Sequence, residues 1–163
     1  MNRIRVFSAI TGIATLALVA LLLAGMFLPA AAAKLVASTS FITVAILSGA
    51  WASTYGRLIV LGLVLSWFGD MFLVGTSRLA FLCGLSAFLL AHIAYVSAFI
   101  AHGYSRRWVW FAVVPVTAIA IGVFTWLEPH TPANLAIPVR AYIVVISMMV
   151  IFAIGTRGRG GSA

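Results

Sequence analysis

The carboxylate of Asp70 is the side chain of this sequence that is best placed to do chemistry. It lies in the stretch LGLVLSWFGDMFLV, Leu61 to Val74, inside an apolar segment long enough to span a bilayer. An ionised carboxylate at membrane depth costs roughly 2.5 to 3.5 kcal/mol even on insertion-based scales. Such a group can move a proton or stabilise a nearby positive charge. Because the only other acid in the sequence is Glu128, we interpret Asp70 as a functional residue and not as a packing residue.

A basic side chain could offset the charge of Asp70. Lys34 and Arg140 are both predicted to begin helices on the side of the membrane nearer Asp70, and their long stems can extend along apolar surface. Either side chain could reach the depth of Asp70 in the membrane, and a cation at that depth would keep the carboxylate ionised. A helical rise of about 1.5 Å per residue puts Asp70 about 12 Å below the boundary marked by Arg78, and His92 about 9 Å deeper. We therefore do not expect a direct catalytic pair of Asp70 and His92.

An aromatic and partly polar stripe lies on the predicted fourth helix. Phe88, His92 and Tyr95 follow one another at i, i+4 and i+7, and Ala87 and Ala91 supply positions for close packing. For His92 the ordinary explanation is a hydrogen bond between helices, since polar residues commonly join helices in membranes. Contact with a ligand is the alternative.

The sequence contains no motif that is typical of a metal or cofactor site. The three histidines, His92, His102 and His130, lie in different predicted elements, and no group of His, Cys and acids has ligand spacing. Cys83 stands alone in an apolar run, and no glycine-rich phosphate loop precedes a helix. We predict neither a metal nor a cofactor.

The composition indicates an all-α, polytopic membrane protein. Hydrophobic residues make up 64% of the chain and charged residues only 7%, so a soluble domain is excluded. The formal net charge is +8, yet the basic residues lie singly or in pairs between apolar runs. A nucleic-acid partner is therefore not expected, because its footprint would need clustered charge.

The apolar runs predict a bundle of six transmembrane helices forming a single domain, 1–163. The expected spans are about 6–28, 34–51, 57–76, 79–101, 108–127 and 138–154. The first run is longer than the apolar core of a signal peptide, so we expect a retained helix. The link GTSR is short enough to make the third and fourth helices antiparallel neighbours that touch. Gly62, Ser66 and Asp70 recur every four residues, which predicts a small-residue face against a neighbouring helix.

Basic residues at the helix ends predict the orientation in the membrane. Six spans place Arg3, Arg5, Arg57, Arg106, Arg107, Arg157 and Arg159 on one side and Lys34, Arg78 and Arg140 on the other. Cytoplasmic loops carry the excess of basic residues, so both termini are expected in the cytoplasm of a cell-membrane protein.

These residues resemble the lysoplasmalogenase, or YhhN-like, family of polytopic membrane proteins. The matching features are Lys34 at the start of the second predicted helix, GDMFL at 69–73 and FLCGLSAFLLAHIAY at 81–95. A further match is PVRAYIVVISMM at 138–149, which contains Tyr142. The resemblance covers about residues 30–155.

The resemblance implies hydrolysis of the vinyl-ether bond of lysoplasmalogens within the membrane. Asp70 matches an intramembrane aspartate of the family and would be the catalytic residue. Lys34, His92, Tyr95 and Tyr142 would contact the lysophospholipid-type substrate. A carboxyl group suits this chemistry, because protonating the enol-ether carbon creates a cation that a carboxylate can stabilise while water is activated.

The sequence departs from the family at two points. Family members usually continue into helices with a second aspartate motif, SD, whereas this chain stops after the sixth span, so it resembles an N-terminal portion with little activity of its own. Leu35 follows Lys34 where the family often has proline. Two other functions stay open, a small transporter or carrier and a structural membrane protein, and the oligomeric state is not predicted.

Overall fold

The computed structural model describes residues 2–157, and throughout this range the chain forms helices and turns without a strand. Its six long helices are α1 (Asn2–Leu23), α2 (Phe27–Leu47), α3 (Thr54–Phe72), α4 (Arg78–His102), α5 (Arg106–Leu127) and α6 (Ala136–Gly155). Each is long and apolar enough to cross a membrane. The prediction of an all-α, multi-pass membrane protein with about six spans is confirmed. Arg159, which entered the count of basic charges, lies outside the described residues.

The turn between α1 and α2 lies earlier than the sequence indicates. α1 ends at Leu23 and not near Leu28, and Gly25 adopts a positive φ of 70°. Glycine tolerates this left-handed conformation because it has no Cβ, and the conformation ends the helix. Pro29 lies in the first turn of α2, where its missing N–H leaves no hydrogen bond unmade. Lys34 is consequently an interior residue of α2 and not its first residue.

The chain forms two compact units, one up to Ala91 and one from His92 onward. The first unit contains α1, α2, α3 and the beginning of α4. The second contains the rest of α4 together with α5 and α6. The single domain 1–163 stays a prediction.

Small side chains form the buried part of the protein. Alanine supplies seven of the nine buried hydrophobic residues: Ala14, Ala30, Ala87, Ala91, Ala94, Ala98 and Ala112. No large side chain is fully buried in the part of the chain that the structure describes, whereas Leu23, Trp110 and Ile137 are largely exposed. This distribution is typical of helices in lipid, where small residues permit close packing and large apolar residues face the acyl chains. The burial of Ala87 and Ala91 confirms their predicted role.

In the first unit, α3 and α4 meet through glycine. A Cβ atom built at Gly69 would lie 2.7 Å from the ring of Phe88, and one built at Gly84 would lie 2.9 Å from Leu73. Both distances are shorter than real Cβ contacts, so only glycine allows this approach. The predicted contact between these helices is confirmed.

In the second unit, the start of α5 is bound to the end of α6. The backbone N–H of Ser105 donates a hydrogen bond to the carbonyl oxygen of Gly155 at 3.0 Å. The rings of Tyr104 and Phe152 pack edge to face with centroids 5.1 Å apart. A Cβ at Gly155 would lie 2.8 Å from Val109, so glycine is required at this crossing as well.

Candidate functional site

An ion pair between α2 and α3 contains the carboxylate that the sequence singles out. The Nζ atom of Lys34 lies 2.7 Å from Oδ1 of Asp70. The side chain of Lys34 is 40% exposed and that of Asp70 only 12%, so the acid is the deeper partner. A contact of this length is a charge-assisted hydrogen bond, in which the ammonium group stabilises the charge of the carboxylate.

Asp70 lies in the last turn of α3, which ends at Phe72. The predicted depth of about 12 Å was wrong, because it applied the helical rise to every residue up to Arg78. After Asp70 the helix continues only through Met71 and Phe72, and the chain then turns before α4 begins at Arg78. A carboxylate in the last turn also faces the negative end of the helix dipole, which is unfavourable. The ammonium group of Lys34 therefore offsets both the burial of Asp70 and its position on the helix.

A second bond between the same two helices lies next to the ion pair. The indole N–H of Trp67 donates to Oγ1 of Thr39 at 2.9 Å. Trp67 precedes Asp70 by about one helical turn, and Thr39 follows Lys34 by a little more than one turn. This bond was not predicted from the sequence, although Thr39 and Trp67 are a second pair of polar residues within about one and a half turns of Lys34 and Asp70. The bond is thus a second polar contact between α2 and α3, separate from the ion pair.

Arg140, the other cation considered for Asp70, contacts Glu128 instead. Its Nη2 atom lies 3.2 Å from Oε1 of Glu128, and the two side chains are 57% and 53% exposed. Glu128 follows α5 directly, in a short 3-10 turn that includes Pro129. Glu128 therefore occupies a solvated position at a helix end.

Three of the residues predicted to bind substrate lie together in the second unit. The ring of His92 is 6.1 Å from that of Tyr95 and 5.3 Å from that of Tyr142, with an edge-to-face arrangement in both cases. His92 and Tyr95 are one turn apart on α4, while Tyr142 belongs to α6. The cluster presents an imidazole and two phenol groups on partly buried side chains. These groups can donate and accept hydrogen bonds to a polar ligand in an apolar environment.

The predicted site residues thus form two groups, and each lies within one unit. Lys34 and Asp70 belong to the first unit, and the cluster of His92, Tyr95 and Tyr142 belongs to the second. The ion pair can stabilise a positive charge or position water, whereas the cluster can bind polar atoms. Among residues 2–157, no three His, Cys, Asp or Glu side chains are grouped so that they could hold a metal ion.

Comparison with known proteins gives one family and two relatives. The YhhN family matches residues 17–162, a range that contains both groups. Proteins named lysoplasmalogenase from Mycobacterium bovis and Mycobacterium tuberculosis are each 38% identical over 106 residues. The aligned region covers 62% of this chain but only 41% of each relative. No solved structure matches the chain.

Proposed function

Because this chain belongs to the YhhN family, we propose that it is a lysoplasmalogenase-type hydrolase that cleaves the vinyl-ether bond of a lysophospholipid in the cell membrane. The observation that carries the proposal is the ion pair of Lys34 and Asp70, which holds a nearly buried carboxylate charge at the end of α3. A charged pair in an apolar chain is expensive and is retained where it has a function.

The reaction adds water across an enol ether. A proton supplied by a general acid or by solvent goes to the β-carbon of the C=C–O unit, which leaves a positive charge shared between the α-carbon and the ether oxygen. Water attacks the α-carbon and loses a proton, and the resulting hemiacetal breaks its C–O bond. The products are a fatty aldehyde and a glycerophospho-alcohol. The steps that need the protein are delivery of the proton to the β-carbon, stabilisation of the cation and deprotonation of water.

Asp70 supplies the negative charge that stabilisation of the cation and deprotonation of water require. Its contact with Lys34 holds the carboxylate in one position, which supports a role as electrostatic stabiliser and as acceptor of a proton from water. Lys34 keeps two further N–H donors. Because its side chain is 40% exposed, these donors can reach a phosphate oxygen or the ether oxygen of the substrate.

The cluster of His92, Tyr95 and Tyr142 supports the binding of the polar part of the lipid. Its rings bring hydrogen-bonding atoms into a segment that is otherwise apolar. A ligand with a phosphate or hydroxyl group gains hydrogen bonds there that lipid tails cannot provide. No cofactor is part of this proposal.

The number of acids sets an expectation for the rate. Two carboxyl groups in different environments would serve general acid and general base best. Glu128 is half exposed and bound to Arg140, so its interactions are weakened by the solvent. We therefore expect slow aldehyde release by chain 1–163, with Asp70 responsible for what is measured.

The proposal is tested by measuring aldehyde release from a lysoplasmalogen by purified protein in proteoliposomes. Asp70→Asn keeps the size of the side chain and removes its charge, and it should lower the rate by about 10² or more. Trp67→Phe is the matched control, because it removes a bond between the same two helices and leaves the ion pair in place. This variant should keep most of the activity.

Three outcomes would contradict the proposal. Full activity of Asp70→Asn would remove the carboxylate from the mechanism. Equal losses in Asp70→Asn and Trp67→Phe would show that the helix contact matters and not the charge. Solute or proton flux in the same proteoliposomes without lipid cleavage would favour a small transporter.

A further inference from the structure

Three exposed arginines lie at one end of the second unit. Arg106 and Arg107 begin α5, and Arg157 follows the end of α6. The two helix ends are side by side, because the backbone N–H of Ser105 donates a hydrogen bond to the carbonyl oxygen of Gly155. The three basic residues form what we call the arginine patch. None of them has a part in the hydrolysis proposed above.

An aromatic ring holds one member of the arginine patch in place. The central carbon of the Arg157 guanidinium lies 5.6 Å from the centroid of the Trp108 ring. Trp108 directly follows Arg107 in the chain, so this contact brings the cation at the end of α6 to the cations at the start of α5. A cation–π contact uses no N–H group, and the guanidinium keeps its hydrogen-bond donors for a ligand.

The acidic side chains of the sequence are engaged elsewhere. There are two of them, and in the described part of the chain Asp70 is paired with Lys34 and Glu128 with Arg140. Three neighbouring positive charges repel one another, and an anion bound among them relieves the repulsion. The arginine patch therefore favours a negatively charged partner from outside the chain.

The aromatic residues around the arginine patch indicate where it lies relative to the bilayer. Trp108 and Trp110 are near the start of α5, and Tyr104 precedes this helix. Trp110 is 70% exposed and Tyr104 is 44% exposed. Tryptophan and tyrosine are enriched at the level of the lipid headgroups. Phosphates of anionic lipids supply the negative charge at this level.

We propose that the arginine patch binds the headgroup of an anionic diacyl phospholipid of the phosphatidylglycerol type. Guanidinium groups match phosphate oxygens with two parallel hydrogen bonds. Zwitterionic lipids also carry a phosphate, but their ammonium group would meet three arginines, while both acidic side chains are bound to other cations. The patch therefore selects a headgroup with a net negative charge.

This lipid is a ligand and not a substrate. Its two chains are joined by ester bonds and it has no vinyl ether, so the proposal goes beyond the hydrolase function and does not depend on it. A headgroup that contacts the start of α5 and the end of α6 together would stabilise the second unit, because a ligand that binds the folded state raises its stability.

Native mass spectrometry of the full chain tests the proposal. The protein is released from detergent micelles that contain equal amounts of dioleoyl phosphatidylglycerol and dioleoyl phosphatidylcholine, and the ratio of the two lipids that stay bound is measured. The wild type should retain phosphatidylglycerol preferentially. Each arginine near anionic headgroups strengthens binding about fivefold. Replacing all three arginines of the patch by glutamine should therefore lower the ratio at least tenfold.

The matched control removes the same number of positive charges from the first unit. It combines Arg3→Gln, Arg5→Gln and Arg57→Gln, three exposed arginines that the sequence assigns to the same side of the membrane as the patch. This variant should lower the ratio by no more than about threefold, because the arginine patch is intact.

Two single variants separate the charge of Arg157 from its packing, and they keep the test decisive if the triple variant of the patch does not fold. Arg157→Gln removes the charge and should lower the ratio about fivefold, whereas Arg157→Lys keeps it and should change the ratio by no more than about twofold. Added phosphatidylglycerol should also raise the Tm of Arg157→Lys more than that of Arg157→Gln.

A soluble competitor distinguishes a lipid from a free anion. Glycerophosphoglycerol has the same headgroup without the chains. At equal concentration it should not displace phosphatidylglycerol, because it lacks the apolar chains that hold the headgroup at the membrane surface.

The proposal is overturned if the wild type retains both lipids equally, or if the control variant loses the preference as fully as the variant of the patch. The second result would show that net charge alone decides. Equal losses in Arg157→Gln and Arg157→Lys would assign the effect to packing on Trp108. Displacement by glycerophosphoglycerol would assign the site to a soluble anion. Failure of the hydrolase proposal would appear only as absent aldehyde release and would leave these ratios unchanged.

Discussion

Removal of Lys34 is expected to destabilise the protein more than removal of its partner, Asp70. Lys34→Met keeps the unbranched stem of the side chain and leaves a carboxylate that is only 12% exposed without its cation. Asp70→Asn leaves an ammonium group that is 40% exposed and can turn toward water. The two variants break the same contact, so the difference between them reports the burial of the acid.

The exposures of the two side chains set the magnitudes. Exposed ion pairs contribute about 0 to 1 kcal/mol, whereas breaking a buried pair costs about 3 to 5 kcal/mol. The exposure of Asp70 is close to that of a residue in a buried ion pair, and the exposure of Lys34 is close to that of a residue in an exposed pair. We expect a loss of about 2 to 3 kcal/mol for Lys34→Met, to which the helix dipole adds, and about 1 kcal/mol for Asp70→Asn. The double variant should be more stable than Lys34→Met alone.

Thermal unfolding in detergent, followed by tryptophan fluorescence, measures these differences. At about 2 to 4 °C per kcal/mol for a chain of this size, Lys34→Met should lower the Tm by roughly 4 to 12 °C and Asp70→Asn by roughly 2 to 4 °C. Arg140→Met, which breaks the exposed pair with Glu128, is the control and should change it by less than about 4 °C. Equal losses in the two single variants, or additive losses in the double variant, would refute the reasoning.

Further predictions concern packing, orientation and rate. Gly69→Ala should destabilise the protein by about 1 to 3 kcal/mol, because the added Cβ would lie 2.7 Å from Phe88, whereas Gly122→Ala meets no atom within 4 Å and should be neutral or stabilising. Unfolding in detergent checks both, and equal effects would contradict the close contact. Cysteines at His102 and His130, in a variant without Cys83, should differ in their reaction with an impermeant thiol reagent in intact cells. Only the cysteine at position 130 should be labelled, because the excess of basic residues places the loop after α4 in the cytoplasm. Aldehyde release by chain 1–163 should be about 10² to 10⁴ slower than by the mycobacterial lysoplasmalogenases, and equal turnover would contradict the two-carboxyl argument.

The sequence by itself determined the class of the protein and its helical content. Long apolar runs, few charges and short links leave transmembrane helices as the structure that satisfies the backbone hydrogen bonds in lipid. The contact of α3 with α4 was predictable for a local reason, since the link between them is too short to separate the helices. The motifs around Asp70 and His92 were sufficient to identify the family, which the match over residues 17–162 confirms.

The boundary between α1 and α2 shows the limit of local signals. Pro29 and the alanines after it indicated a later turn, yet proline is compatible with the first turn of a helix and Gly25 is the residue that ends α1. Glycine occurs both inside and at the ends of membrane helices, so its conformation is settled by the neighbouring chain and not by its identity.

The partner of Asp70 was decided only by the tertiary structure. Lys34 and Arg140 are both long basic side chains, and their positions in the sequence left either one available. The packing of α2 on α3 brings Lys34 to Asp70, while the loop after α5 gives Arg140 a nearer acid in Glu128. The meeting of His92 with Tyr142 likewise depends on how α4 packs against α6. Such contacts depend on the rotation and register of whole helices, and hydrophobic composition does not specify either, because every face of these helices is apolar enough for lipid.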